Sequence, residues 1–245
     1  MAEIAVALSR VQARIGKAAA RSGRPADAVR LVLVTKTVAA ERVREAIAAG
    51  HVDLGENKVQ EGRAKVASLA DTSARWSMIG HLQRNKVKDV LRFAHEVQSV
   101  DRISLAAALD RRLQSLGREL PILIQVNTSG EASKYGLSPD EVMPFLIELA
   151  AFSSLRPNGF MTLATFTPVE TEVRRCFRLL RDIRDRALQE APQGAALQEL
   201  SMGMSGDYAW AIEEGATIVR VGQAVFGKRP TSDAYYWPGI DGPAR

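Results

Sequence analysis

A lysine that follows a run of aliphatic residues is the first group in this sequence that could do chemistry. Lys36 ends the stretch LVLVTK at residues 31–36, and its four consecutive aliphatic residues are typical of a strand buried on both faces. Functional residues of α/β proteins gather at the carboxyl ends of such strands. We expect partial burial there to lower the pKa of the amine and to favour Schiff-base formation. The alternative is a lysine that only reaches into solvent from a strand end.

Two glycine-containing loops near the end of the sequence form the second candidate group. Residues 201–207 (SMGMSGD) and 221–223 (VGQ) each follow a strand pattern and precede a helical one. In a (β/α) barrel the loops after strands seven and eight often bind phosphate, because N–H groups at helix starts stabilise anions. Either loop by itself is also typical of a simple change of direction. Together, and opposite a strand-end lysine, they favour a phosphorylated ligand.

These candidates need a framework that holds them together, and the hydrophobic pattern predicts eight strands alternating with helices. The predicted strands cover residues 31–36, 51–55, 76–80, 96–100, 122–127, 155–163, 199–202 and 217–221, and a helix over residues 3–22 precedes them. Eight such units in 245 residues predict an α/β fold, a single (β/α)8 TIM-type barrel with an extra N-terminal helix. A doubly wound open sheet is the alternative, and the count of eight argues against it.

Polar residues and glycines predict where several of the helices begin. Residues 56–57 are expected to open the helix after the second strand, and a basic helix is expected over about residues 84–92. Asp101 is predicted to cap the helix that follows the fourth strand. Residues 138–141 and 167–170 have the composition of capping boxes, which predicts two later helix starts.

An arginine near the second glycine loop narrows the choice of ligand. Arg220 lies two residues before Gly222, so it can point into the barrel while the Gly222 backbone reaches a phosphate. A lysine for an aldehyde, N–H groups for a phosphate and an arginine between them suit pyridoxal 5′-phosphate (PLP). A permanently charged guanidinium at the pyridine nitrogen would keep that nitrogen unprotonated, which makes the cofactor a weaker electron sink.

Several motifs occur in an order that is specific for one family. They are Thr35-Lys36, Gly55-Glu56-Asn57, Ile79-Gly80-His81-Leu82-Gln83-Arg84-Asn85-Lys86, Val126-Asn127 with Glu131, Lys134 and Gly136, Ser201-Met202-Gly203-Met204-Ser205 with Asp207, and Val219-Arg220-Val221-Gly222 with Phe226-Gly227. With these motifs the chain resembles the pyridoxal-phosphate homeostasis protein family, whose fold matches the barrel domain of bacterial alanine racemases. The resemblance runs from about residue 4 to residue 229.

The resemblance implies a set of cofactor-binding residues. It implies an internal aldimine on Lys36, phosphate contacts from Ser205, Gly222 and the Gln223 amide, Arg220 at the pyridine nitrogen, and a pocket lined by Asn57 and Met204. It implies no metal ligands and assigns no catalytic residue.

Three positions depart from the family's usual residues. Ser77 stands where histidine is usual, Phe160 where leucine is usual, and Gln223 where a small or hydroxylated residue is common. A phosphate contact through the backbone of residue 223 survives this last change, whereas a contact through a side-chain hydroxyl does not.

Composition limits the remaining classes of function. The net charge is +5, but basic residues alternate with acidic ones, as in RDIRDR at residues 181–186, so nucleic-acid binding is not expected. No apolar run reaches the roughly 20 residues of a membrane span. The single cysteine, Cys176, excludes an internal disulfide framework and any multi-cysteine metal site. With no signal-peptide profile at the start, we expect a cytoplasmic protein of one domain, residues 1–245, with its core at about 4–230 and a surface tail at 231–245.

Three functions compete on this evidence. The first is a PLP carrier in cofactor homeostasis, with PLP-dependent apo-enzymes as candidate recipients. The second is a racemase-like PLP enzyme, which needs an acid–base group on each face of the cofactor; Lys36 could serve one face, and Tyr135 or Tyr208 would have to replace the racemases' second-domain tyrosine. The third is a phosphate-binding barrel in which Lys36 is a bystander. We expect the carrier, because the sequence leaves no room for the second domain of a racemase, and we expect a monomer.

Overall fold

Eight short parallel strands alternate with helices and close into a barrel in which each strand pairs with its neighbours in sequence and β8 pairs with β1. The computed structural model describes residues 2–191 and 196–227. The strands are β1 (Arg30–Val34), β2 (Asp53–Glu56), β3 (Arg75–Met78), β4 (Ala94–Val100), β5 (Leu120–Gln125), β6 (Leu155–Met161), β7 (Glu199–Ser201) and β8 (Ile218–Val221). The α-helices within the described ranges are α1 (Ala2–Arg21), α2 (Ala40–Ala48), α3 (Val59–Ser68), α4 (Val87–Val90), α5 (Ile103–Gln114), α6 (Val142–Leu149), α7 (Glu170–Glu190), α8 (Tyr208–Glu213) and α9 (Gln223–Phe226). The predicted (β/α)8 barrel with an extra N-terminal helix is confirmed, and the predicted tail at 231–245 lies outside the described residues.

The barrel wall separates two apolar cores. The larger core fills the space between the strands and the surrounding helices and includes Leu31 and Leu33 of β1. A smaller cluster of Val32, Leu123, Met161 and Ile218 is fully buried within the ring of strands. Because side chains alternate along a strand, the inward residues of one strand lie two apart. Polar side chains at this spacing therefore enter the barrel as well.

Helix α1 covers the side on which the barrel closes. It packs against α8, α9 and α2, with Ile4, Leu8, Val11 and Ile15 buried along one face. This apolar stripe of four residues fixes an otherwise charged helix to the barrel. In the described ranges, no helix combines the length and the apolar character needed to cross a membrane.

Two predicted helix starts after β2 and β3 are wrong. Glu56 is the last residue of β2, and α3 begins only at Val59, because the Glu56 side chain is buried against Lys65 instead of capping N–H groups. Only Val87–Val90 of the predicted basic helix is α-helical, and it follows a single 3₁₀ turn at Arg84–Lys86. The N–H of Lys86 donates to the Gln83 carbonyl over 3.0 Å, which is the tighter spacing of a 3₁₀ turn.

Competition for the capping side chain decides the other predicted caps. Asp101 does not cap α5, because its carboxylate is held by the guanidinium of Arg102, and Arg102 takes the N-cap position. The capping box at residues 167–170 is wrong for the same kind of reason. The Thr167 hydroxyl accepts the N–H of Val169 over 3.2 Å, and Glu170 pairs with Arg174 one turn later. The capping box of Ser138 and Glu141 is confirmed.

We predict that Gly159→Ala destabilises the protein by about 3 kcal/mol or more, since overpacking a rigid site carries such a cost. Gly159 has φ of +156°, and a Cβ there would lie 1.9 Å from the carbonyl oxygen of Glu199 on the neighbouring strand. Gly16→Ala is the matched control, because its nearest neighbour would be the Cβ of Ala26 at 3.6 Å. In the middle of α1 that change should stabilise by about 1 kcal/mol. Urea denaturation measures both values, and equal stabilities would contradict the prediction.

Candidate cofactor site

Most of the predicted site residues follow the carboxyl ends of β1, β2, β7 and β8, while Arg220 lies within β8 and Gln223 begins α9. Lys36 follows β1 by two residues and is 6% exposed. Because β8 pairs with β1, the loop that carries Gly222 lies beside the end of β1. A Cβ on Gly222 would come 2.9 Å from the Val34 carbonyl oxygen, so only glycine allows this approach of the two backbones. Barrel closure therefore places the lysine next to the second glycine loop.

Lys36 is the second residue of a tight turn. The N–H of Val38 donates to the Thr35 carbonyl over 2.9 Å, and Thr37 adopts a left-handed conformation with φ of +63°. This conformation is a real outlier for a β-branched residue and costs of the order of 1–3 kcal/mol. The Thr37 hydroxyl offsets part of this cost by donating to the Lys36 carbonyl over 2.6 Å.

Helix α3 holds this turn from outside the barrel. The carboxylate of Glu61 accepts the N–H of Thr37 over 3.1 Å. One helical turn later, the ammonium group of Lys65 donates to the Thr35 carbonyl, which belongs to the peptide bond that leads into Lys36. Residues four apart lie on one helix face, so Glu61 and Lys65 of α3 hydrogen-bond the turn on both sides of Lys36.

Glu56 is the acidic partner of Lys65 at this turn. Its side chain is fully buried, and its Oε1 accepts the Thr35 hydroxyl over 2.6 Å and the Lys65 ammonium over 2.5 Å. Burial raises the pKa of Glu56, although Lys65 and the Thr35 hydroxyl act in the opposite direction. Sequence reasoning quoted Glu56 only as part of a motif and did not select Lys65. The signal that could have found them is a pair of opposite charges around a helix start directly after a buried strand.

Ser205 and Gly222, which the sequence predicts to contact a phosphate, lie close together. The N–H groups of Gly222 and Ala224 both point to the Ser205 hydroxyl, at 3.3 and 3.4 Å. These long contacts are weak, so a better acceptor could replace the hydroxyl oxygen. Gln223 is exposed at the start of α9, between the two converging N–H groups. Two N–H donors that converge on one point, beside a serine hydroxyl, suit the oxygens of a phosphate.

Asn57 and Met204 lie at the edge of the same mouth. Both are half-buried. A Cβ on Gly80 would lie 2.2 Å from the Asn57 carbonyl oxygen, so the loops after β2 and β3 are packed backbone to backbone. The N–H of Met204 donates to the carboxylate of Asp207 over 2.5 Å, which fixes the loop that leads to Ser205.

Arg220 is buried inside the barrel with only 3% of its surface exposed. It donates to the Ser201 hydroxyl over 2.6 Å and to the Thr162 carbonyl over 2.7 Å. Burial lowers the pKa of Arg220 to about 10, and Asp207 opposes this change. The guanidinium therefore stays charged at neutral pH. Two of its five N–H groups are used by these neutral acceptors, which leaves donors for a ligand.

The two tyrosines considered as second acid–base groups are placed differently. The Tyr135 ring stacks on His81 at a centroid distance of 3.8 Å, and 49% of Tyr135 is exposed. Tyr208 is buried, with the guanidinium of Arg14 over its ring at 5.1 Å, so it faces helix α1 on the outside of the barrel. Tyr208 is therefore unsuited to act at the mouth. His81 follows β3, with Nδ1 3.6 Å from the Asp101 carboxylate.

The arrangement fits a small phosphorylated aldehyde with a ring nitrogen. It offers a buried lysine in a tight turn, converging N–H groups on the neighbouring loop, and a buried cation inside the barrel. Each group suits one part of PLP: the aldehyde, the phosphate and the pyridine nitrogen. A side chain at residue 222 would clash with the Val34 carbonyl oxygen and force the two loops apart.

The chain is similar to known proteins over nearly its whole length. Residues 6–230 match the family described as "Alanine racemase, N-terminal domain". The "Pyridoxal phosphate homeostasis protein" of Aquifex aeolicus is 39% identical over 222 residues, which are 91% of this chain and 96% of that protein. The protein of the same name from Pseudomonas aeruginosa is 40% identical over 229 residues, 94% of this chain and 97% of that protein.

Solved structures agree with this comparison. PipY of Synechococcus elongatus, solved with PLP bound, superimposes with a TM-score of 0.82 at 36% identity and covers 91% of this chain and 100% of that chain. Alanine racemase from Corynebacterium glutamicum gives a TM-score of 0.66 at 16% identity, over 92% of this chain and 62% of that chain. At that identity the second likeness concerns the fold alone.

We predict that Lys65→Met destabilises the protein by about 3–5 kcal/mol, because it leaves a buried carboxylate without its partner. The pKa of Glu56 already lies above its ordinary 4.5, and loss of the ammonium should raise it further. A raised folded-state pKa means that the folded protein binds the proton more tightly than the unfolded chain does. The destabilisation should therefore be largest near pH 8 and shrink near pH 5.

The control for this prediction is Arg63→Met on the same helix. Arg63 pairs with Asp89 at 3.0 Å, but about half of its side chain is exposed, so the change should cost about 1 kcal/mol at most. Urea denaturation at both pH values gives the comparison. Equal losses for the two variants, or a loss for Lys65→Met that does not depend on pH, would contradict the role of the Glu56–Lys65 pair.

Proposed function

Because the chain belongs to the pyridoxal phosphate homeostasis protein family, we propose that it binds PLP through a Schiff base on Lys36 and buffers or transfers the cofactor. The observation that carries this proposal is that the buried Lys36 follows β1 where the Gly222 backbone packs against Val34, beside the loop whose Gly222 and Ala224 N–H groups converge. When bound, PLP supplies an aldehyde that condenses with a primary amine and releases one water molecule. The reverse reaction with water returns the amine and the free aldehyde.

Each part of the site has a role in this proposal. The turn around Thr37 presents the Lys36 amine, and α3 fixes the turn. The N–H groups at residues 222–224, with the Ser205 hydroxyl, hold the phosphate through charge-assisted hydrogen bonds. Arg220 donates to the pyridine nitrogen and disfavours its protonation, since two positive charges would then meet in a buried space. Asn57 and Met204, both half-buried, would line the edge of the pocket.

A carrier fits the surroundings of Lys36 better than a two-base racemase does. A racemase needs a second proton donor opposite the lysine, and Tyr208 faces the helix layer while Tyr135 is engaged at the rim with His81. A charged arginine at the ring nitrogen also weakens the electron sink that carbanion chemistry requires. The cytoplasmic location, the monomeric state and delivery to PLP-dependent apo-enzymes stay predictions.

Lys36→Ala should abolish the covalent adduct with PLP. The wild-type protein, incubated with PLP and dialysed, should absorb at about 420 nm, as PLP Schiff bases do, and borohydride should fix the adduct on the peptide that contains Lys36. Lys88→Ala on α4 is the matched control, since Lys88 is exposed. Mass mapping identifies the modified residue. An adduct that persists in Lys36→Ala would place the site elsewhere.

The carrier predicts no appreciable turnover of amino acids. Loaded protein is incubated separately with L- and D-amino acids, and the products are separated by chiral chromatography. A racemase-like enzyme would interconvert the enantiomers at about 1–1000 per second, the usual range for enzymes. Rates in that range that disappear with Lys36→Ala would replace the carrier with the racemase.

A further inference from the structure

A line of buried polar side chains runs through the barrel from Arg220 toward the opposite end. The Arg220 guanidinium donates to the Ser201 hydroxyl over 2.6 Å, and Ser201 donates to Gln98 Oε1 over 2.7 Å. Gln98 Nε2 then donates to Glu96 Oε2 over 3.1 Å. Gln98 and Ser201 have no exposed surface, Arg220 has 3% and Glu96 has 6%. Barrel interiors are usually filled by apolar layers, so this line is costly and needs a reason.

The line allows only one direction of hydrogen bonding. Arginine is a donor only, so the Ser201 hydroxyl must accept from Arg220 and give its own hydrogen to Gln98. The Gln98 carbonyl is then used, and its amide must face the carboxylate of Glu96. Every donor points from the guanidinium toward the carboxylate, and aligned hydrogen bonds of this kind strengthen one another. The line thereby connects Arg220 to the carboxylate of Glu96 through two neutral side chains.

Glu96 is itself fixed at the amino end of the barrel. Arg30 Nη2 lies 3.0 Å from each of its two carboxylate oxygens, and the Ser77 hydroxyl donates to Oε2 over 3.0 Å. Glu199 and Asp53 face the same arginine at 3.7 and 3.8 Å. These groups line an open polar cavity of about 330 Å³. Ser77, a departure from the family's usual histidine, therefore takes part in anchoring Glu96.

We propose that Gln98 and Ser201, anchored by Glu96, are positioning residues that aim the Arg220 guanidinium at the pyridine nitrogen of PLP. The proposal rests on the proposed function and deepens it. Arg220 bonds only neutral oxygens, Ser201 Oγ and the Thr162 carbonyl, among the hydrogen-bond partners described for it. Without the Ser201 contact, one bond would have to hold a long side chain, and the remaining donors would no longer be fixed at the mouth.

The test compares two ligands that differ only at the ring nitrogen. PLP and its carbocyclic analogue, in which a CH group replaces that nitrogen, carry the same aldehyde and phosphate. Gln98→Met removes both hydrogen bonds at similar volume, and Ser201→Ala removes the bond to Arg220 with a smaller change. Leu123→Met, inside the same barrel, is the volume-conserving control. Dissociation constants of each ligand are measured by absorbance titration, and thermal melts check that each variant is folded.

Gln98→Met and Ser201→Ala should weaken binding of PLP about tenfold, as expected for loss of a hydrogen bond to a charged group. The carbocyclic analogue should bind each variant within about twofold of the wild type, because it has no nitrogen for Arg220 to meet. Leu123→Met should change neither constant. If Gln98→Met does not fold, Ser201→Ala decides the question by itself.

Two results would overturn the inference, and they are distinct from failure of the proposed function. An equal loss for both ligands would assign these residues a structural role only. Unchanged PLP binding in both variants would show that the position of Arg220 does not depend on Gln98 and Ser201. If wild-type protein bound neither ligand, the proposed function would fail first, and the inference would fall with it.

Discussion

Closure of the barrel between β8 and β1 is the constraint on which the site depends. The Gly222 backbone lies so close to the Val34 carbonyl that no side chain fits between them. This approach brings together a lysine from the start of the chain and a pair of N–H donors from its end. Parallel strands present their carboxyl ends on one side, so the two loops meet at the mouth and not at the base. A substitution that separated β8 from β1 would move Lys36 away from the N–H groups of Gly222 and Ala224, even if none of these residues changed.

Two buried charged systems support the site from opposite sides of the wall. Glu56 and Lys65 fix the lysine turn from the helix layer, while the line from Arg220 to Glu96 occupies the barrel interior. Buried ion pairs seldom add stability beyond what apolar residues of equal size would give, because desolvation is costly. Their presence on both sides of one loop cluster is therefore better explained by the orientation of functional groups. The strained left-handed backbone of Thr37, beside Lys36, supports the same interpretation.

The sequence predicted the architecture because strand and helix patterns alternate eight times along the chain. The sequence also predicted that the selected site residues lie at one mouth of the barrel, because the strand ends can be read from the sequence once the fold is assumed. It could not predict the supporting contacts. Gln98 and Ser201 belong to different strands and meet only because the register of the closed barrel places them together. Asp101 and Thr167 failed as caps because nearby partners took their side chains, which local propensity does not record.

The proposed carrier function would place opposite demands on Lys36. The amine must capture an aldehyde tightly enough to keep its free concentration low, yet release it without a catalytic step at the neighbouring carbon. A rigid turn lowers the entropic cost of capture. A charged Arg220 at the ring nitrogen would hold the cofactor in place while withholding the proton that makes it a strong electron sink. Under this proposal, binding and inertness would come from the same group, which would account for a guanidinium in a space where burial lowers its pKa.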